Sequence, residues 1–230
     1  MSMHTETRDT PNQATTFLLA EHARLCELYL STRETAERRV TLYLTLTTTI
    51  VGVSVALWQL GLQQQQILES ALAAALGISL LGLITFHRLL ERGMQGTEYL
   101  RAINRIHHYF VQHAPEIAPY LFWSPHDNNP RYDMRGVGGA ETREVVQLAN
   151  CLSIAIALGL VVVHLDILLI VPALGVGAIV FVLAYLAHQR YESFVLAREE
   201  KRKAALVHFP APVQKDGMHQ MTPEPLKAEK

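Results

Sequence analysis

Two long apolar blocks constrain the fold of this chain more than any other feature. Residues 40–68 carry no charged side chain, and after Glu69 the apolar run continues from residue 70 to residue 86. A second block covers residues 145–187, where His164 and Asp166 are the only histidine and the only charged residue. A helix needs about 20 residues to cross a hydrocarbon core of about 30 Å, so each block is long enough for two crossings. The sequence therefore predicts an all-α integral membrane protein with four transmembrane helices in two hairpins, residues 40–86 and 141–187, plus cytosolic helical extensions.

Each predicted hairpin has a candidate turn near its middle. In the first, GLQQQQILE at residues 61–69 supplies four soluble glutamines after Gly61, which can end a helix. In the second, His164 and Asp166 mark the turn, and in an oligomer they would surround a pore mouth. The alternative for this pair is a proton or cation site within the membrane, because ionisable groups at that depth are often functional.

The distribution of cationic side chains predicts the topology. Residues 1–39 hold five Lys and Arg, residues 87–144 hold seven and residues 188–230 hold eight, which accounts for all twenty. Cytoplasmic loops retain Lys and Arg, so both termini and the central segment are predicted to be cytoplasmic in a multi-pass protein of the cell membrane. The polar start MSMHTETRDTPNQATT does not resemble a cleaved signal peptide. A formal net charge of −1 gives no indication of nucleic-acid binding.

The cytosolic parts also show helical patterns. We expect an amphipathic helix at residues 15–39, a helix at 87–114 and a third at 188–207, joined by a Pro- and Gly-rich connector at 115–140. Disordered ends are expected at residues 1–14 and 208–230. The apolar faces of the three helices must pack on one another or on other chains. Arg101, Arg105 and His108 fall on the opposite, polar face of the central helix.

The connector contains a group of aromatic residues, Tyr120, Phe122 and Trp123. Aromatic rings favour the half-hydrated zone at a membrane surface, so these three are expected either at the lipid interface or against the cytosolic helices.

Motifs for enzymatic chemistry are not found. The stretch RGVGGAET at residues 135–142 lacks the strand and the lysine of a phosphate-binding loop, and it is interpreted as a flexible approach to the third span. The histidines His107, His108 and His113 lack the spacing of a metal site and are expected on the surface. We therefore predict a non-enzymatic protein without cofactor or metal. A remote alternative is a haem-binding redox protein, with His87 and His188 as axial ligands at the cytoplasmic ends of two spans.

The first span carries the most informative membrane feature, a stripe of polar and small residues at steps of four, three, four and seven. The members of this α1 stripe are Thr41, Thr45, Thr48, Gly52 and Gln59. The spacing places them on one side of a helix, where they form either a helix-packing seam or the lining of a pore. A second, shorter polar seam comprises Asn150, Ser153 and Ala157, and small residues four apart elsewhere favour a compact bundle, formed either by one chain alone or shared between chains.

The layout of the first half also resembles a known family. An amphipathic helix LLAEHARLCELYLSTRETAERR leads into a two-span hairpin, and the cytosolic helix YLRAINRIHHYF follows. Over residues 15–113 this arrangement is similar to that of SLATT-type bacterial membrane proteins. The resemblance implies nucleotide-signalled antiviral defence and pore formation, and it assigns a role to no single residue. The second hairpin departs from the two-span plan.

The leading interpretation is an oligomeric channel or membrane-perturbing effector that is gated through its cytosolic helices. The alternative is a membrane scaffold or regulatory subunit that recruits a soluble partner through residues 97–113 and 188–206. The expected partners are the lipid bilayer, further copies of the chain, and a cytosolic protein or small-molecule signal.

Overall fold

A computed structural model describes residues 13–61, 63–122, 125–133, 140–165 and 170–211 of the chain. Within these ranges the regular structure is entirely helical: α1 (Gln13–Gln59), α2 (Gln64–His113), α3 (Ala140–His164) and α4 (Ile170–Lys203), with short 3-10 helices at Pro115–Tyr120 and Ala204–Leu206. Each of the four α-helices is long and apolar enough to cross a membrane. The predicted all-α class with four long apolar helices is therefore confirmed.

The connection between α1 and α2 is shorter than the predicted turn at residues 61–69. The backbone of Gly61 has a φ of 72°, a conformation that glycine adopts without steric cost, and α1 ends just before it. Three of the four glutamines belong to α2, which begins at Gln64, because glutamine is a good helix former. Gln65 also donates a hydrogen bond to Glu69 one turn later, at 3.1 Å.

Between α3 and α4 the structure describes the chain up to Leu165 and again from Ile170. His164 is the last residue of α3 and is exposed, whereas Asp166 lies outside the described residues. Pro172 lies in the first turn of α4. Backbone N–H groups in a first turn have no acceptor within the helix, so a proline there breaks no helical hydrogen bond.

The helices pack in chain order: α1 on α2, α2 on α3, and α3 on α4, while α1 and α4 share no extensive contact. The apolar segments of one chain therefore form an open layer rather than a closed four-helix bundle, and the alternative of a bundle shared between chains stays a prediction. The outer helices α1 and α4 bury the smallest fraction of their apolar windows, 11% each. Their outer faces remain available to lipid or to other chains.

Beyond the apolar segments, α1, α2 and α4 continue at the same end of the molecule and form what we call the arm. It consists of residues 13–39, 87–113, 188–203 and the connector residues 125–133. On one side of α2, Leu25 packs against Ile103 and Ile106. On another side, Leu90 packs against Tyr132 and Leu196. These parts of the arm helices thus cover one another within the chain, whereas Phe17, Leu30 and Phe194 remain exposed.

Of the connector aromatics, Tyr120 and Phe122 lie in the described part of the chain. Tyr120 and Phe122 follow the end of α2 at the distal tip of the arm, and their side chains are 87% and 89% exposed. At 1.5 Å per residue, the α2 segment between residue 86 and His113 separates them from the apolar layer by about 40 Å. Tyr120 and Phe122 thus lie far along the arm from the apolar segments and are largely exposed. Trp123 lies outside the described residues.

Candidate functional site

The α1 stripe faces away from the rest of the chain. Thr41, Thr45, Thr48, Gly52 and Gln59 are all exposed. The inward face of α1 instead carries Tyr43, which is 1% exposed and packs against α2 and α3. The stripe is therefore no packing seam within one chain, and whatever covers it comes from outside the chain.

The stripe's hydroxyl groups are partly satisfied by their own helix. Thr41 donates to the carbonyl oxygen of Glu37 at 3.1 Å, and Thr48 donates to that of Leu44 at 3.0 Å. Such bonds let hydroxyl side chains face an apolar surface at little free-energy cost. A Cβ added at Gly52 would meet nothing within 4 Å, so the backbone there is open to close approach by another helix.

A buried polar layer connects α2, α3 and α4 at the arm end of the apolar segments. Asn150 of α3 is fully buried, and its amide nitrogen donates to Nε2 of His188 of α4 at 3.2 Å. Nδ1 of His188 donates to the carbonyl oxygen of Ala184 at 2.8 Å. Ser79 and Ser153 form a further contact between α2 and α3, with their hydroxyl oxygens 3.0 Å apart.

The predicted seam of Asn150, Ser153 and Ala157 belongs to this layer, but its partners in α2 and α4 were not predicted. Gln147, one turn before Asn150, donates to the carbonyl oxygen of Tyr185 at 3.3 Å. At the arm end, Arg143 forms an ion pair with Glu192 at 2.9 Å. The spacing Arg143, Gln147, Asn150 and Ser153 is itself helical and was the signal that would have extended the seam.

The two histidines of the haem alternative occupy different environments. His87 is exposed, with Nδ1 3.2 Å from the hydroxyl of Tyr191 and Nε2 3.4 Å from Glu91. His188 is buried, and both of its nitrogens are engaged in the polar layer. Axial ligation by this pair would require all of these contacts to break. In the described part of the chain, no group of three or more His, Cys, Asp or Glu is arranged to hold a metal ion.

Of the three histidines at residues 107, 108 and 113, two are less exposed than expected. His107 is half-buried, with its Nε2 atom 3.2 Å from that of His22 on α1. Burial, together with His22, lowers the pKa of His107 below its usual 6.5. His108 stacks on Phe209 with ring centroids 4.0 Å apart, and only His113 is plainly exposed.

Arg101 of α2 is the centre of a cluster in the arm that sequence reasoning missed. Its side chain was expected on a polar surface, yet it is 3% exposed. Its guanidinium donates to both carboxylate oxygens of Glu200, at 2.7 and 3.0 Å, and lies 4.5 Å from the ring centroid of Tyr132. Nε donates to the carbonyl oxygen of Pro130 at 3.0 Å. One buried arginine thus links α2, the connector and α4.

Asp127 of the connector binds the segment that follows α4. Its carboxylate accepts hydrogen bonds from the backbone N–H groups of His208 and Phe209, at 2.9 and 2.8 Å, and pairs with Arg105 at 2.9 Å. We call this set of contacts the tail clasp. Burial alone would raise the pKa of Asp127, but the two N–H groups and Arg105 outweigh it and lower the pKa below its usual 3.8. The carboxylate is therefore held ionised.

A cavity of about 260 Å³ lies between the Arg101 cluster and the tail clasp. It is lined by Glu98, Tyr99, Arg101, Ala102, Arg105, Asp127, Tyr132, Lys203, Leu206 and Val207. Burial raises the pKa of Tyr132 to about 12, with Glu98 adding to the rise and Arg101 opposing it. The Tyr132 phenol therefore stays protonated at neutral pH. Its hydroxyl is buried and has no hydrogen-bond partner among the described residues.

Comparison of the chain with protein-family models, with curated proteins and with solved structures gives no significant match. The similarity in layout to SLATT-type proteins therefore stays a prediction from the sequence. Function has to be argued from the residues and their geometry.

Proposed function

We propose that the chain crosses the membrane four times as two hairpins and assembles with further copies into a channel or membrane-perturbing effector. The exposed α1 stripe carries this proposal. A span whose outward face has five hydroxyl, glycine or amide positions is suited to contact with another helix or with water, because small and hydroxyl side chains allow helices to approach closely. Because the stripe faces away from the other helices of its own chain, we take its partner to be another copy or an aqueous pore between copies.

The position of the arm supports cytoplasmic termini. The polar extensions of α1, α2 and α4 all leave the apolar layer at one end. All twenty Lys and Arg lie in residues 1–39, 87–144 and 188–230, which belong to or flank those extensions. This asymmetry is typical of a protein whose cationic end stays in the cytoplasm.

The continuity of the helices supports gating through the arm. α1, α2 and α4 each run from the arm into the apolar layer without a break. A change in how the arm helices pack therefore shifts the spans that continue from them. The layout shared with SLATT-type proteins suggests the same class of function.

Ion flux from liposomes tests this proposal. The purified chain is expected to release a trapped ion, and Thr45→Phe and Thr48→Phe should each lower the flux at least tenfold by filling the pore. Leu46→Phe is the matched control, because Leu46 is exposed on a different side of the same helix turn. Equal flux from all three variants, or a solubilised particle with the mass of one chain, would contradict a pore along the stripe.

A membrane scaffold is the second candidate, and the distal tip of the arm favours it. Tyr120 and Phe122 are the most exposed large hydrophobic side chains of the described residues, and aromatic rings are enriched in protein interfaces. By contrast, the apolar face of residues 97–113 is already covered by α1. A scaffold predicts a soluble protein that co-purifies with the chain, is lost on Tyr120→Ser, and is not accompanied by ion flux.

A further inference from the structure

The cavity in the arm has the features of a ligand site. Its volume of about 260 Å³ lies just below the range of about 300–1,000 Å³ that is usual for drug-sized ligands, so it suits a small metabolite. Three segments of the chain form its walls: α2, the connector, and the end of α4 with the residues that follow. It combines apolar surface from Tyr99, Ala102 and Leu206 with charged groups of both signs.

Among the ion pairs that the described residues form at the cavity, one has no fully buried member and can exchange partners. In each of the other two pairs one member is almost fully buried, Arg101 beside Glu200 and Asp127 beside Arg105, so breaking either pair would leave an uncompensated buried charge. Lys203 and Glu98 form a third pair at 2.7 Å, with side chains 24% and 42% exposed. Because neither of these side chains is fully buried, water can replace each partner, and pairs of this kind contribute little net free energy. The rim therefore offers one ammonium group and one carboxylate to a ligand.

We propose that this cavity binds a small zwitterion of amino-acid size, with an ammonium group, a carboxylate and an apolar side chain. The ligand carboxylate pairs with Lys203 and the ligand ammonium pairs with Glu98. The side chain occupies the apolar wall around Tyr99, Ala102 and Leu206. A simple anion would take Lys203 and leave Glu98 unpaired beside it, whereas a zwitterion satisfies both rim groups.

The position of the cavity excludes a lipid headgroup as its occupant. Arg101 lies 15 residues beyond residue 86 on α2, about 22 Å from the end of the apolar segment. The ligand therefore arrives from the aqueous phase. Since the walls belong to both α2 and α4, binding fixes the relative position of two arm helices. Gating of the spans by the bound ligand rests on the proposed channel function. Binding of the ligand itself does not depend on that function.

Calorimetric titration of the full chain in detergent tests the site with L-phenylalanine, L-leucine and L-methionine. At least one of the three should bind. Two analogues of that ligand, one without the ammonium group and one without the carboxylate, serve as half-molecules. For L-phenylalanine these are 3-phenylpropionate and phenethylamine. Each half-molecule should bind at least tenfold more weakly, because it leaves one rim group unpaired. Glu98→Gln and Lys203→Gln should each weaken binding at least tenfold. Glu34→Gln, which removes an exposed carboxylate of the arm far from the cavity, should leave it unchanged.

The outcomes separate this site from the channel. If none of the three amino acids binds, if a half-molecule binds as tightly as the zwitterion, or if inorganic phosphate binds instead, the proposal is overturned even when flux is intact. Binding without any effect on flux supports the site and contradicts only its coupling to the spans. The swapped pair Glu98→Lys with Lys203→Glu restores both charges, so recovery of binding in it shows that the single variants lost charge rather than fold.

Discussion

At the scale of single residues, Gly82 marks a close approach between α2 and α3. A Cβ built on Gly82 would lie 2.2 Å from Oδ1 of Asn150, whose amide nitrogen is bonded to His188. Asn150 is fully buried and has no room to withdraw without breaking the polar layer. Gly82→Ala is therefore expected to lower the free energy of unfolding by about 1–3 kcal/mol, as overpacking usually does. Thermal unfolding in detergent, followed by circular dichroism, measures this loss.

Gly77 on the same helix provides the control. A Cβ there would meet nothing within 4 Å, and alanine is the better helix former by about 0.5–1 kcal/mol. Gly77→Ala should leave the unfolding temperature unchanged or raise it. Equal destabilisation by both substitutions would mean that α2 and α3 do not approach each other at Gly82.

The contact of His107 with His22 predicts a pH dependence of arm stability. Burial lowers the pKa of His107 below 6.5, so the unfolded chain binds a proton more readily than the folded one. Stability is then fully present above pH 6.5 and is lost as the pH falls through the folded pKa. The unfolding temperature should drop between pH 7.5 and pH 5.5, and His107→Leu should reduce that drop.

His113 is the matched control for this effect. It lies on the same helix and is exposed, and among the described residues its hydrogen bond and its ring contact are both with Tyr109. His113→Leu should keep the pH dependence of the unmodified chain. If His107→Leu leaves the pH dependence unchanged, groups other than His107 cause it.

Sequence patterns predicted the exposure of single residues poorly wherever a polar group was buried by a distant segment. Arg101 lies on the polar side of its helix, and helical periodicity therefore predicted that water would surround it. Its actual partner, Glu200, is 99 residues away, and no local pattern reports such a contact. The same holds for Asp127, whose partners follow the end of α4.

At the scale of elements, length and hydropathy were sufficient for the four helices, because an apolar run of about 20 residues has few stable alternatives in lipid. They were insufficient for how the helices associate. Small residues at steps of four allow a helix to pack against several different neighbours, so they do not predict which helices meet. In the structure α2 packs on α3 and α3 packs on α4, whereas the outer faces of α1 and α4 stay exposed. The predicted glutamine turn was too long, because glutamine is not only soluble but also a good helix former, and α2 therefore begins at Gln64.

At the tail clasp, the contacts depend on one side chain, the carboxylate of Asp127. Asp127→Asn keeps the shape of the residue but replaces one accepting oxygen with an N–H₂ group that faces backbone donors. Loss of charge-assisted hydrogen bonds of this kind costs about 1.5–3 kcal/mol. The amide hydrogens of His208 and Phe209 should therefore exchange at least tenfold faster, as measured by hydrogen–deuterium exchange.

The clasp also has a defined response to acid. Because the pKa of Asp127 is lowered below 3.8, its contribution to stability is present above that pH and is lost only as the pH falls through the folded pKa. Asp133→Asn, which removes an exposed connector carboxylate paired with Arg131, is the control and should leave exchange at His208 and Phe209 unchanged. Slow exchange in Asp127→Asn would show that the segment after α4 is held by its other contacts.

At the scale of the whole molecule, the open layer and the outward α1 stripe predict where copies meet. In a symmetric oligomer built through α1, equivalent stripe positions of neighbouring copies approach one another. Thr48→Cys, in a background with Cys26→Ser and Cys151→Ala, should therefore give cross-linked dimers with a short bis-maleimide in membranes. Leu83→Cys is the control, because Leu83 is also exposed but lies on α2. Cross-linking through Leu83 and not Thr48 would place the subunit contact on α2 and leave the stripe to lipid.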